Sequence, residues 1–220
     1  MKSPAWPFVA PFFLFMIFLA VEGWFPDQHY LLYPFKTIGV GAVILWFWRA
    51  LPSLRPAAPG LSVAVGVIVV ALWIGLDPWV VHYDQPLIGR NPFLLYPAGE
   101  AWVLFAFRLL GIALCVPVME ELFWRGFLMR WQIKEDFSSV PLATYQPLSF
   151  WVTTALFAVE HGSEWALGLM AGVIYGAWFV RTKSLGSVML AHGVTNLLLA
   201  LYCLVSGDWH FLSIVTPAHK

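Results

Sequence analysis

The sequence predicts an all-α integral membrane protein, a single bundle of about seven or eight transmembrane helices. Of its 220 residues, 60% are hydrophobic and only 11% are charged, and the mean hydropathy is +0.77. A helix needs about 20 apolar residues to cross the hydrocarbon core, so this length allows seven or eight crossings with short loops. Seven apolar runs are candidate spans, at residues 7–25, 31–51, 61–81, 100–131, 147–161, 164–181 and 184–205.

The candidate spans follow one another without a recognisable soluble domain, so residues 1–220 are predicted to form a single transmembrane domain. The first run follows Lys2 and lacks a small-residue cleavage site, which favours a retained span over a cleaved signal peptide. The run at 100–131 is longer than one crossing requires. Residues 84–99 are rich in Pro and Gly, and we expect a loop lying on the membrane there, where an eighth span would otherwise fit.

The distribution of charge predicts the orientation of the bundle. Lys and Arg total 12, as do Asp and Glu, so nothing suggests a basic surface for nucleic acid. Cytoplasmic loops hold an excess of Lys and Arg. This rule predicts a multi-pass plasma (inner) membrane protein with a cytoplasmic N terminus and an outside C terminus. It places these basic residues on the cytoplasmic side: Lys2, Arg49, Arg55, Arg125, Arg130, Lys134, Arg181 and Lys183.

A first polar cluster lies near the end of the long fourth run, after Pro117. Glu121 and Arg125 are four residues apart with the acid first, the favoured order for an ion pair on a helix. Glu120 points about 100° away and is expected to stay free. A free carboxylate in apolar surroundings suits a general base or acid. The alternative is a charge pair at a span end with a spare, solvated Glu.

A second cluster closes the fifth run with Phe157 and His161, again four residues apart. Phe157 is expected to pack beside the imidazole and to fix its orientation. The alternative is a span-end histidine bonded only to a carbonyl or to water. Glu160 and Glu164 are either partners of this site or plain turn residues. The turn at Gly162 is expected to lie within the bundle beside a water-filled cavity, since irregular backbone at membrane depth needs such a cavity.

The third cluster lies in the middle of the last run. His192 and Asn196 share one helix face, one turn apart. They could stabilise a developing oxyanion or bind a metal, or they could simply bridge neighbouring helices. Cys115 and Cys203 both lie in apolar runs and are interpreted as small buried hydrophobes rather than as a disulfide.

Glu-Glu-x-x-x-Arg, Phe-x-x-x-His and His-x-x-x-Asn, in that order on successive membrane helices, resemble the three signature motifs of the CPBP family. That family contains the type II CAAX prenyl endopeptidases and the Abi proteins. In size and general character the chain also resembles the compact bacterial members that are CAAX-protease-related proteins of exosortase-type sorting systems. The resemblance predicts a CPBP-like catalytic core at residues 111–200. The first hundred residues match no motif and are expected to select the substrate.

The resemblance implies an intramembrane peptidase, a hydrolase that cleaves a membrane-associated protein or peptide from a site opening toward the cytoplasm. Glu120 and His161 would activate water, and His192 and Asn196 would stabilise the oxyanion. Glu121 and Arg125, with Phe157 beside His161, would hold the site in shape.

The sequence leaves one alternative open for the cofactor and one for the class of function. No cofactor is assigned, but zinc bound by His161, His192 and Glu120 stays open, although the sequence has no His-Glu-x-x-His motif. The rival function is non-enzymatic: a membrane protein that binds or transports a ligand through its buried polar residues, or an immunity scaffold.

Overall fold

The computed structural model describes residues 4–25, 28–80, 87–88, 91–212 and 214–215, and it confirms an all-α membrane protein. Within these residues, six helices are long and apolar enough to cross a membrane, and Pro147–Glu160 is a shorter apolar helix. The α-helices are α1 Trp6–Trp24, α2 His29–Phe47, α3 Pro59–Leu76, α4 Pro92–Leu95, α5 Ala98–Leu110, α6 Val116–Glu121, α7 Met129–Trp131, α8 Pro147–Glu160, α9 Trp165–Thr182 and α10 Leu185–Ser206.

Helices α5, α6 and α7 form one continuous helix, Ala98–Trp131, which is 34 residues long and is called the long helix below. Two π-helical segments, Gly111–Cys115 and Leu122–Leu128, join its three parts. π-Turns of this kind accommodate irregularities in the helix and are frequent at functional sites. Pro117, the second residue of α6, therefore lies within a continuous helix, two residues after the end of the first π-helical segment.

The predicted surface loop at 84–99 lies partly outside the described residues. Its described part contains Leu87–Ile88, a two-residue strand paired antiparallel with Ile214–Val215. The short helix α4 follows, and the long helix begins at Ala98. The central part of the expected loop is thus helical.

The helices alternate in direction, which gives the bundle two ends. The near end is where α1 begins and the long helix ends; there Ser149 at the start of α8 donates to the carbonyl of Met129 at 2.5 Å. The far end is where α1 ends and the long helix begins. At the far end, Asp77 after α3 lies 3.1 Å from His210, which follows α10.

Close helix packing depends on glycine, as is common in membrane bundles. A Cβ atom at Gly66 of α3 would lie 2.5 Å from the carbonyl oxygen of Ala191, so α3 and α10 approach closely. On α9, Gly172 and Gly176 face α8, where added Cβ atoms would meet Phe157 at 3.1 Å and Phe150 at 2.7 Å. These contacts hold α3 against α10 and α9 against α8. Both cysteines are free thiols, and Cys203 is buried while Cys115 is partly buried.

Candidate active site

A cavity of about 330 Å³ lies inside the bundle and is lined by residues of α1, α2, α3, the long helix, α8, α9 and α10. All four residues predicted to be catalytic line it: Glu120, His161, His192 and Asn196. Phe157 also lines it, and so does the turn Gly162–Glu164. The structure therefore brings the three sequence motifs to one place. The turn at Gly162 borders the cavity as expected, but Gly162 itself is exposed rather than buried within the bundle.

The two adjacent glutamates of the first motif have different surroundings. Glu121 is fully buried, and its Oε1 accepts from Nη1 of Arg125 at 3.1 Å. Glu120 is only 7% exposed, and its Oε2 has no hydrogen-bond partner among the described residues. The prediction that Glu121 pairs with Arg125 while Glu120 stays free is confirmed by this geometry.

Arg125 connects the first motif to α8 and α9. Its Nη2 donates to the carbonyl of Gly172 at 3.3 Å, and its guanidinium lies 4.5 Å from the centre of the Phe157 ring. A cation over an aromatic face is attracted by the ring quadrupole. Because Arg125 is almost fully buried, these contacts and Glu121 supply the polar environment that water would otherwise give.

His161 ends α8, and its imidazole is held in one orientation. Its Nδ1 lies 2.7 Å from the carbonyl oxygen of Phe157, and the two rings pack with centres 4.7 Å apart. Since a carbonyl oxygen only accepts, Nδ1 carries the proton and Nε2 keeps its lone pair. A Cβ atom at Gly168 would lie 2.9 Å from Cγ of His161, so this glycine makes room for the ring.

His192 is oriented by contacts from two other helices. Its Nδ1 lies 3.1 Å from Oε1 of Glu121, and Tyr175 of α9 stacks on its ring with centres 5.0 Å apart. The Tyr175 hydroxyl donates to Oγ1 of Thr195 at 2.7 Å, which fixes the tyrosine in turn. The contact with Glu121 joins the first and third motifs directly.

Asn196 is positioned by an irregularity of the long helix. In the π-helical segment the N–H of Val116 donates to the carbonyl of Gly111. In a π-helix each carbonyl accepts from the N–H five residues later, so the carbonyl of Ile112 would need the N–H of residue 117. Residue 117 is a proline and has no N–H. Nδ2 of Asn196 donates to this carbonyl at 2.9 Å. One N–H of the Asn196 amide then remains for another acceptor.

Comparison with known proteins agrees with this geometry. Residues 102–198 match the family model for type II CAAX prenyl endopeptidase Rce1-like proteins. This segment is similar to that family, and we call it the Rce1-like segment. It contains all three motifs, so the resemblance to CAAX-type intramembrane proteases is confirmed for the part of the chain that holds them. No curated protein and no solved structure matches the chain.

The Rce1-like segment also contains a carboxylate whose role the sequence left open. Glu160 lines the cavity, and its Oε2 accepts from the indole N–H of Trp124 at 3.1 Å. Glu160 is therefore a cavity residue with a defined partner rather than a plain turn residue. Glu164 lines the cavity as well. Neither spacing nor periodicity links Trp124 to Glu160, because the two residues lie on different helices.

Two basic residues line the same cavity and were not singled out from the sequence. Lys36 of α2 donates to Oε2 of Glu22 at 2.8 Å. Arg108, on the long helix within the Rce1-like segment, donates to the carbonyl of Leu212. Both basic side chains are buried. The sequence contains an indication for both residues, since each lies inside an apolar run, where ionisable residues are costly.

The described residues include no group of three or more His, Cys, Asp or Glu side chains that could hold a metal ion. Zinc bound by Glu120, His161 and His192 stays an open prediction. The chemistry derived below uses only the protein's own side chains and water.

Proposed function

We propose that the chain is an intramembrane endopeptidase that hydrolyses a peptide bond in a membrane-associated protein or peptide, with water activated by Glu120 and His161. One observation carries the proposal. Glu120 is buried in the cavity, and its Oε2 has no hydrogen-bond partner among the described residues. Its neighbour Glu121 also has an unpaired Oε2, but its Oε1 is held by both Arg125 and His192. A buried acid without a structural partner is costly and is kept where it has a chemical task.

The proposed first step is attack by water on the scissile carbonyl carbon. Nε2 of His161 accepts one hydrogen bond from this water and orients it, while the Glu120 carboxylate removes a proton as the O–C bond forms. The tetrahedral intermediate then collapses, the C–N bond breaks, and Glu120 returns the proton to the departing amine. All atoms and protons of the water and the peptide are then present in the two products, a carboxylic acid and an amine, and Glu120 is regenerated.

The proposed oxyanion site comprises Asn196 and His192. The free N–H of Asn196 donates to the oxygen that gains negative charge. The Nε2 atom of His192 can also donate when both ring nitrogens carry protons. The Glu121 carboxylate beside Nδ1 balances the positive charge of that form. Donors fixed before the reaction stabilise such charge more effectively than donors that must reorganise.

We also propose the orientation that the basic residues predict, with the N terminus in the cytoplasm and the C terminus outside. The lipid bilayer then surrounds the exposed apolar side chains of the helices, and the substrate reaches the cavity from within or beside the membrane.

A comparison of peptide termini in cell membranes tests the peptidase proposal. Membrane fractions from cells with the wild-type protein, Glu120→Gln or the control Glu100→Gln are analysed for new protein termini by mass spectrometry. Glu100 is exposed at the far end. We expect at least one terminus that is present with the wild type and the control and lost with Glu120→Gln. If equally abundant proteins give identical termini, the binding, transport or immunity-scaffold function is favoured instead.

A further inference from the structure

We infer that the cavity opens on the extracytoplasmic side of the membrane, so that the substrate is an extracytoplasmic segment of an exported or membrane-anchored protein. This inference rests on the proposed peptidase function and names its substrate class. It follows from three features: which end of the bundle the cavity reaches, where the helix beside it stops, and how the exposed basic residues are distributed.

The cavity extends from the middle of the bundle to the far end. Glu120 lies 11 residues before the near end of the long helix, about 16 Å along its axis, which is roughly half of a 30 Å hydrocarbon core. From there the cavity wall continues to Trp73 close to the end of α3, to the turn Gly162–Glu164, and to Phe211 and Leu212 after α10. All of these segments belong to the far end.

The length of α8 explains why water can enter there. This helix has 14 residues, which give about 21 Å, well short of a 30 Å hydrocarbon core. Since α8 begins at the near end, its last turn and His161 lie inside the far half of the membrane. The chain reverses at Gly162, an exposed residue with φ of 59°. The shortness of α8 therefore leaves an opening in the far half of the bundle, beside the proposed water-activating residues.

The exposed basic residues mark the opposite end as cytoplasmic. Among the described residues, five Lys and Arg side chains are exposed, and all five lie at the near end: Arg49, Arg55, Lys134, Arg181 and Lys183. Exposed carboxylates lie at both ends, Glu100 and Asp208 at the far end and Glu135 and Asp136 at the near end, so only the basic residues distinguish the two ends. Because Lys and Arg near span ends are retained in the cytoplasm, the near end is cytoplasmic and the far end is extracytoplasmic.

Two expectations from the sequence therefore conflict. A cytoplasmic N terminus and a site opening toward the cytoplasm would require the cavity to lie at the near end, but it lies at the far end. The distribution of exposed charge favours the first expectation over the second. A lipidated cytoplasmic C terminus would meet the closed end of the bundle. A segment that emerges from the membrane on the extracytoplasmic side would lie directly at the opening.

Cysteine labelling in sealed vesicles tests the inference without a known substrate. In a background with Cys115→Ala and Cys203→Ala, single cysteines replace Ser163 at the cavity or Ser206 on the surface of the far end. The matched near-end variants are Ser53→Cys and Ser138→Cys, both at exposed positions. Each variant is treated with a membrane-impermeant maleimide in right-side-out and inside-out vesicles.

We expect both far-end cysteines to react at least tenfold faster in right-side-out vesicles, and both near-end cysteines to react faster in inside-out vesicles. The reverse pattern would overturn the inference. A mixed result would overturn it as well: if the cysteine at position 206 reacts in right-side-out vesicles but the cysteine at position 163 reacts only in inside-out vesicles, the cavity opens to the cytoplasm. Neither result affects the Glu120-dependent cleavage test, so failure of the inference and failure of the peptidase proposal are distinguishable.

Discussion

Glu121 and His192 are 71 residues apart in the chain, yet Oε1 of Glu121 lies 3.1 Å from Nδ1 of His192 and 3.1 Å from Nη1 of Arg125. One carboxylate oxygen thus holds a residue of the first motif and a residue of the third. Glu120, the next residue along the chain, is left without such a task. Under the proposed mechanism the two adjacent glutamates have separable functions, one structural and one chemical, and substitutions should distinguish them.

Arg125→Ala should lower the amount of folded protein rather than act on chemistry alone. It leaves the Glu121 carboxylate fully buried without its guanidinium partner, and breaking a buried ion pair in this way costs about 3–5 kcal/mol. The measurement is membrane abundance together with thermal unfolding in detergent. Arg49→Ala is the matched control, since Arg49 is exposed. Normal abundance of Arg125→Ala would mean that Glu121 finds other partners.

Glu120→Gln should abolish cleavage while leaving the protein level unchanged. The substitution removes the ionisable group at nearly constant shape, and loss of a general base lowers rates by about 10²–10⁴-fold. The measurement is the rate at which the wild-type-dependent terminus forms, normalised to protein abundance. A rate within threefold of wild type would assign water activation to another residue, with Glu160 as the next candidate in the cavity.

Gly168→Ala should reduce cleavage through His161. The added Cβ would lie 2.9 Å from Cγ of His161, so the imidazole must shift away from its contact with Phe157. We expect at least a tenfold loss of the cleavage rate, because small misplacements of a catalytic group are costly. Gly75→Ala is the control, since a Cβ there meets nothing within 4 Å. Equal rates for the two variants would contradict a role for the exact position of His161.

Helical spacing explains which contacts could be predicted from the sequence. Glu121 with Arg125, and Phe157 with His161, are pairs four residues apart, and the structure contains both contacts. Such pairs depend only on the geometry of one helix. The fold class likewise follows from composition and run length, which require no knowledge of packing.

Contacts between helices could not be predicted in the same way. The pairing of Trp124 with Glu160 and the stacking of Tyr175 on His192 depend on how helices rotate and approach. The bond from Asn196 to the Ile112 carbonyl also needs a π-helical segment, which adds a residue to the turn and shifts the helix register. A regular helical pattern contains no information about that shift.

Removal of metal ions should leave cleavage unchanged. No group of His, Cys, Asp and Glu side chains among the described residues fits a metal ion, and the proposed proton transfers use Glu120 and His161 alone. The measurement is the cleavage rate of purified protein after dialysis against 1,10-phenanthroline. A loss of activity that zinc restores would show that Glu120, His161 and His192 rearrange into a metal site during turnover.

His210 should make stability depend on pH at the far end of the bundle. Burial opposes its protonation, but the carboxylates of Asp208 and Asp77, at 2.6 Å and 3.1 Å, outweigh burial and raise the pKa of His210 above its ordinary value of 6.5. A raised pKa in the folded state means that protonation stabilises the fold. This contribution is complete below about pH 6.5 and disappears as the pH rises through the higher folded-state pKa.

The melting temperature in detergent should therefore fall between pH 6 and pH 9, and His210→Gln should flatten that decrease. An unchanged slope in His210→Gln would assign the pH dependence to another group.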